Sequence, residues 1–471
     1  MLLLKRIKFL RISFLMLDLQ TIYYKYIKLI MSIKFRLTVM SFLQFFVWGA
    51  WLITIGTYCF NAKGWTGAEF GAIFSTLGLS SLFMPAITGI IADKWLNAEK
   101  LYGILHILYG IILIYVPKVD DPNVLYYVIF GAMICYMPTI SLSNSIAYTI
   151  LKNNDYDVVK VFPPIRVWGT VGFIAAMWLT NIFSSPNPPS FLHDFGLSVG
   201  NGIATLLDSP VTANQFYFAA FFAIVLGIYS FTLPKCPPQR LISKEASFTE
   251  QLGLNAFKLF SNSKMALFLL FSMFLGAALQ LTNMYGDAYL NDFKNFPEYK
   301  DSIVVSSSTI IMSISQISET VFILAIPFFL KRFGIKQVML FSMIAWVLRF
   351  GLFAYGDPAE GLWMIILSCI VYGMAFDFFN ISGSLFVETT TDSSIRSSAQ
   401  GLFMMMTNGV GAFLGSYLSG IVIDNYYTQN GIKDWHNIWI AFSSYALIIG
   451  LAFAVFFKHK HNPSELEQVK H

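Results

Sequence analysis

The sequence is poor in charge. Only 12% of its 471 residues are Asp, Glu, Lys or Arg, against 56% hydrophobic residues, and the mean hydropathy is +0.63. A soluble domain carries roughly 25% charged residues. A single core of this size could not bury so much apolar surface and keep a polar shell. An ordinary soluble enzyme, a disordered chain and a fibrous protein are therefore excluded. Cysteine is scarce as well: Cys59, Cys135, Cys236 and Cys369 occur with no CxxC and no Cys/His spacing. That argues against disulfides and against a metal site, and no cofactor is expected. The formal net charge of +5 has no clustered basic face behind it, which removes nucleic acid as a partner.

What is present is a series of long apolar runs, for which the fitting solvent is a lipid bilayer. The runs are continuous rather than weakly alternating, so the spans are helices and not barrel strands. Twelve runs approach the required length of about 20 residues. They fall near 38–60, 67–92, 99–117, 123–150, 163–183, 213–234, 264–290, 303–330, 336–355, 362–387, 395–423 and 436–457. A charged connector over 235–263 divides them into a half at 31–234 and a half at 264–458, with a tail at 459–471.

Basic residues orient the chain. With both termini in the cytoplasm, the inner side holds Lys34, Arg36, Lys94, Lys100, Lys152, Lys160, Lys235, Arg240, Lys244, Lys258, Lys264, Lys331, Arg332, Lys336, Arg396, Lys458, Lys460 and Lys470. The outer side holds Lys63, Lys118, Lys294, Lys300 and Lys433. One missed span would scramble this asymmetry.

Two segments stand apart. Residues 1–30 are apolar but broken by Lys5, Arg6, Lys8, Arg11, Lys25 and Lys28, and their longest clean run, Ile12 to Leu17, is too short to span. No small-residue cleavage site marks a signal peptide there. The segment reads either as an interfacial basic helix or as an extension ahead of a start at Met31. The outer loop 184–212 is rich in Pro, Gly and Ser and shows no chemistry.

Polar residues inside spans carry the functional signal, because each is costly in lipid. Arg166 and Arg349 are the only basic residues not assigned to a membrane face or to the first 30 residues. The acids within spans are Asp287, Glu319 and Asp377, whereas Glu388 and Asp424 lie near span ends. His106 reads as a packing residue before a proton relay. Helical spacing groups the rest. Arg166, Thr170 and Phe173 recur at i, i+4, i+7; Gln280 and Asn283 at i, i+3; Gln316 and Glu319 at i, i+3; and Tyr372, Phe376 and Asp377 fall within two turns. Four helices thus present one permanent cation, two carboxylates, three amides and three aromatic rings. Such a set suits a water-lined cavity for a polar, planar solute, with amides as paired donors and acceptors and rings as stacking surfaces. The bland alternative is interhelical polar contact, worth about 0.6 kcal/mol each; it suits Gln280 or Asn283 alone better than two acids with an arginine.

The short inner loops Gly89-Ile-Ile-Ala-Asp93-Lys94-Trp95 and Leu330-Lys331-Arg332-Phe333-Gly334-Ile335-Lys336 fall at matching places in the halves. The first resembles the signature loop of the major facilitator superfamily. Longer stretches narrow the resemblance: Ser41-Phe-Leu-Gln-Phe-Phe-Val-Trp48-Gly-Ala-Trp51, Phe162-Pro-Pro-Ile-Arg166-Val-Trp-Gly-Thr170, Ser313-Ile-Ser-Gln316-Ile-Ser-Glu319-Thr and Tyr372-Gly-Met-Ala-Phe-Asp377-Phe-Phe-Asn380-Ile-Ser-Gly. From about Met31 to the last span the chain resembles the nucleoside:proton symporters of that superfamily. The resemblance implies an all-α membrane protein with the major facilitator fold, two six-helix halves, and import of nucleosides with protons across a bacterial inner membrane. It implies Arg166, Thr170, Phe173, Gln280, Asn283, Gln316, Glu319, Tyr372 and Phe376 at the nucleoside site, with Asp377 also implicated in transport. Residues 1–30 have no counterpart in the family, and loop 184–212 is longer than its equivalent.

The expected partners are the nucleoside, protons and the bilayer, with the chain acting as a monomer. Glu319 and Asp377 are both proton-carrier candidates. Rival readings are a permease for a single nucleoside such as xanthosine or for another small polar solute, and a transporter-like receptor. A membrane-embedded enzyme would need a metal constellation, a Ser/His or Cys/His pairing or a large soluble domain, and the sequence offers none.

Overall fold

The computed structural model describes residues 32–238, 254–392 and 395–460. The first 30 residues, most of the connector and the end of the tail lie outside these ranges. The chain is a bundle of long helices. In order they are α1 (Ile33–Gly49), α2 (Gly67–Lys94), α3 (Ala98–Tyr115), α4 (Pro122–Asn153), α5 (Val158–Phe183), α6 (His193–Leu206) and α7 (Asn214–Ser230). After the connector come α8 (Ser263–Asp292), α9 (Ser308–Tyr355), α10 (Leu362–Thr390), α11 (Arg396–Met404), α12 (Ala412–Tyr427) and α13 (Trp435–Phe456). One two-residue hairpin, Thr428–Gln429 with Ile432–Lys433, joins α12 to α13.

Helix starts follow local chemistry. Thr66 and Glu69 form a reciprocal capping box on α2, which satisfies two otherwise orphaned N–H groups. Asp121 accepts from Asn123 and Val124 at the start of α4, with Pro122 at the first helical position, where a missing N–H costs nothing. Asp157, Asn262 and Asp434 cap α5, α8 and α13 in the same manner.

Among the described residues, ten helices are long and apolar enough to cross a membrane. One of them, α9, runs 48 residues and contains Gly334 at φ 78° and ψ 171°. That conformation is open to glycine and strained for other residues, so the chain reverses there between the runs expected at 303–330 and 336–355. The first expected run is also interrupted. Beyond α1 the chain turns, resumes at Ile55–Thr57 and finishes in a π-helical turn over Tyr58–Ala62. Helical backbone covers most of each expected segment, with breaks at 50–54, 231–234 and Ser307. The loop at 184–212, for all its Pro, Gly and Ser, contains a helix, α6. Its Gly196 and Gly200 sit against the backbone carbonyls of Ile182 and Phe183 at the end of α5.

The first half packs as α1 with α5 and α7, α3 with α7 and α4, and α2 with α4. In the second, α9 packs on α10 and α13, and α8 on α12 and α13. The halves meet along α2 with α12, α5 with the first arm of α9, and Ile55–Thr57 with α8. Close approach of α2 to α12 depends on small residues: a Cβ on Gly71 would lie 2.7 Å from the Ser416 carbonyl oxygen and 3.0 Å from Gly420 Cα.

Candidate functional site

A cavity of about 830 Å³ lies between the halves. Phe45 and Trp48 of α1, Arg166, Thr170 and Phe173 of α5, Gln280 and Asn283 of α8, Gln316 and Glu319 of α9, and Tyr372 and Phe376 of α10 all line it. The nine residues named from the sequence as nucleoside contacts are therefore brought to one wall system. Asp377 is not. It is 5% exposed, sits behind the lining, and its Oδ2 has no hydrogen-bond partner.

The arrangement follows from helix geometry. Residues at i, i+3, i+4 and i+7 share a face, so each polar pair enters the cavity together while its neighbours pack or meet lipid. Gln280 and Gln316 are buried, and the Gln316 carbonyl oxygen Oε1 accepts no hydrogen bond. Arg166 and Glu319 are half-buried and face the same space. Among the described residues neither has an ion-pair partner within 4.0 Å.

Among the lining residues that sequence reasoning missed, Phe45, Trp48 and Asn408 present a ring or an amide. Phe45 and Trp48 lie at i, i+3 on α1, inside a stretch so rich in aromatics that their face did not stand out. Trp48 stacks on buried Tyr136, 4.6 Å between centroids at 12°, and the Tyr136 hydroxyl donates to the Gln44 carbonyl oxygen at 2.8 Å. Asn408 lies in a π-helical segment, Met405–Gly411, between α11 and α12, where α-helical spacing does not apply. Such segments recur at functional sites.

Two singled-out residues lie elsewhere. His106 is fully buried in the first half, with Nδ1 3.0 Å from the Tyr102 carbonyl oxygen and its ring against Tyr102; it does not reach the cavity. Arg349 is fully buried behind Tyr372, its guanidinium carbon 5.2 Å from that ring and 4.4 Å from Phe353, with Nε donating to Thr282 Oγ1 at 3.3 Å.

The cavity is sealed at one end by hydrogen bonds between the halves. Thr57 donates across to Asp287 Oδ2 at 2.5 Å, and within the second half Ser308 and Thr309 hold Oδ1 of the same carboxylate at 2.9 and 2.8 Å. The backbone N–H groups of Gly67 and Ala68 donate to Asp424 at 2.7 and 2.6 Å, placing a carboxylate at the positive end of α2. Asn61 bonds Asn291 at 3.1 Å, Trp178 donates to Ser313 at 2.9 Å, and Asn181 bridges the Ser306 carbonyl oxygen and the Ile310 N–H. Toward the other end the lining continues through Pro85, Ala86, Asn144, Ser398 and Gly401, so the cavity faces that way.

Two helical halves around a largely apolar cavity with a few polar groups in its wall, shut at one end, define a membrane solute transporter of the major facilitator type. The chain belongs to the nucleoside H+ symporter family, whose model matches residues 31–462. It is 49% identical over 444 residues to the xanthosine permease of Escherichia coli strain K12, a match covering 94% of this chain and 99% of that one. It is 47% identical over 444 residues to the nucleoside permease NupG of the same strain, covering 94% and 100%. A crystal structure of nucleoside transporter NupG superposes with a TM-score of 0.80 at 47% identity, covering 91% of this chain and 100% of that chain. The protein is a multi-pass bacterial inner-membrane transporter that imports nucleosides with protons, and it is not an enzyme.

Proposed function

We propose that Arg166, Thr170, Phe173, Gln280, Asn283, Gln316, Glu319, Tyr372 and Phe376 bind the nucleoside in the central cavity. The observation that carries this reading is the buried, unpartnered Oε1 of Gln316 beside Glu319. A buried polar atom left unbonded costs on the order of 1–3 kcal/mol, and a ligand N–H or O–H in the cavity would offset that cost. Amides pair with the base edge, the rings stack on its face, and Glu319 accepts from ribose hydroxyls. Arg166 donates only, since it keeps its charge.

At least one of Glu319 and Asp377 carries the proton. A protonated carboxyl is both donor and acceptor, whereas a carboxylate only accepts, so proton state changes what the wall offers the solute. The end carrying the excess of Lys and Arg is cytoplasmic, with both termini there, and the sealed end is external. The halves, 31–234 and 264–458, rock about the site, and the chain works as a monomer in the bilayer.

Substituting Gln280→Ala, Asn283→Ala and Gln316→Ala one at a time tests the site. Each is expected to weaken uridine binding about five- to 150-fold. Unchanged affinity in all three would return these amides to the role of interhelical contacts. A permease restricted to one nucleoside is the competing reading, supported by the name of the xanthosine permease relative. Competition of xanthosine, adenosine and cytidine against labelled uridine uptake separates the two.

A further inference from the structure

Arg166 poses a mechanical problem. A long, flexible cation stands in the cavity wall with no carboxylate within 4.0 Å among the described residues. An arginine left to its rotamers would present its N–H donors in many directions, and ordering it for each ligand would weaken binding. The structure supplies another restraint. The guanidinium carbon lies 3.9 Å from the centroid of the Phe45 ring. A planar guanidinium stacks on an aromatic face in a way that a compact ammonium does not.

The seat under this pair is made by Gly169, one helical turn beyond Arg166 on α5. A Cβ there would lie 2.6 Å from Phe45 Cδ2 and 2.7 Å from Arg166 Nη1. The absent side chain is therefore the space that ring and guanidinium share. Packing of α1 on α5 continues one turn further, where a Cβ on Gly49 would lie 2.9 Å from Phe173 Cα. The ring is thereby held between two closely packed backbones.

We propose that Phe45 is a positioning residue for Arg166: its ring, seated on Gly169, fixes the plane in which the guanidinium presents its donors to the nucleoside. This rests on the reading of Arg166 as a nucleoside contact. Phe45 then contributes to affinity through orientation, and the ring face is the property that matters.

The test measures uridine Kd on the purified protein together with KM and Vmax in vesicles. Phe45→Leu is expected to weaken uridine affinity about three- to thirtyfold, raising KM with Vmax less affected. Phe45→Tyr, which keeps the ring face, is expected to retain most of the affinity. In an Arg166→Gln background Phe45→Leu should add little, because there is no guanidinium left to orient. Gly169→Ala should weaken binding in the same direction, and it carries the test if Phe45→Leu fails to reach the membrane. The inference is overturned if the Phe45→Leu and Arg166→Gln factors simply multiply, if Phe45→Tyr is as impaired as Phe45→Leu, or if Gly169→Ala leaves affinity unchanged. If Arg166→Gln weakens uridine binding and Phe45→Leu does not, the site stands and only the seat falls. If Arg166→Gln has no effect, the reading of Arg166 as a contact falls and the inference with it.

Discussion

Two carboxyls serve the cavity from different depths. Glu319 lines it, while Asp377 lies one layer behind with Oδ2 unbonded. The amide counterparts are nearly isosteric but cannot exchange a proton. At least one of Glu319→Gln and Asp377→Asn is therefore expected to lose concentrative uridine uptake while still folding, measured as accumulation in vesicles under an imposed pH gradient. Accumulation retained by both would leave neither as the obligatory carrier. His106 is a poor substitute, since it is walled into the first half. Arg349 is of another kind: packed on the rings of Phe353 and Tyr372 and bonded to Thr282, it braces the wall from outside the cavity. The sequence marked Arg349 as anomalous but gave no means of choosing between wall and lumen.

Among the elements, α2 and α12 form the tightest seam between the halves. Gly71 faces Ser416 and Gly420 across it, and Asp424 of α12 caps the start of α2. A branched side chain at Gly71 would overpack this contact, at a cost of about 1–3 kcal/mol. Gly71→Val is accordingly expected to slow uridine counterflow about five- to 150-fold, because the seal cannot form fully. Uridine Kd should change far less, since Gly71 does not line the cavity. Equal losses in counterflow and affinity would show that the seam is part of the binding site. The seam was not legible in the sequence: the glycines of α2 are ordinary in a membrane helix, and only their apposition to α12 gives them a purpose.

At the scale of the whole molecule, one state is on view, with the cavity closed at the end of the Asp287 and Asp424 bonds and lined toward the other end by Pro85, Asn144 and Ser398. Transport requires the opposite state, in which the bonds of Asp287 and Asp424 across the halves are broken. A symporter couples that exchange to the proton gradient. Uridine uptake is therefore expected to rise with external acidity and to collapse with a protonophore, followed as initial rates in vesicles with pH imposed on each side. Uptake indifferent to the pH gradient would remove proton coupling even with nucleosides as substrate.

The sequence by itself determined the solvent, the helices and part of the lining. Low charge and continuous apolar runs leave lipid as the only consistent environment. A 3.6-residue period makes Arg166–Thr170–Phe173 and Gln316–Glu319 coherent faces, whatever they turn toward. Tertiary structure decided everything that depends on which face meets which. It set Asp377 one layer behind Phe376, although the two are adjacent in sequence. It brought Phe45 under Arg166 from a helix more than 100 residues away in sequence, and it gave Asp287 its hydroxyl donors from both halves. Helical period fixes the angle of a side chain about its own axis. It carries no information on the partner helix, which is set by packing between elements remote in the chain.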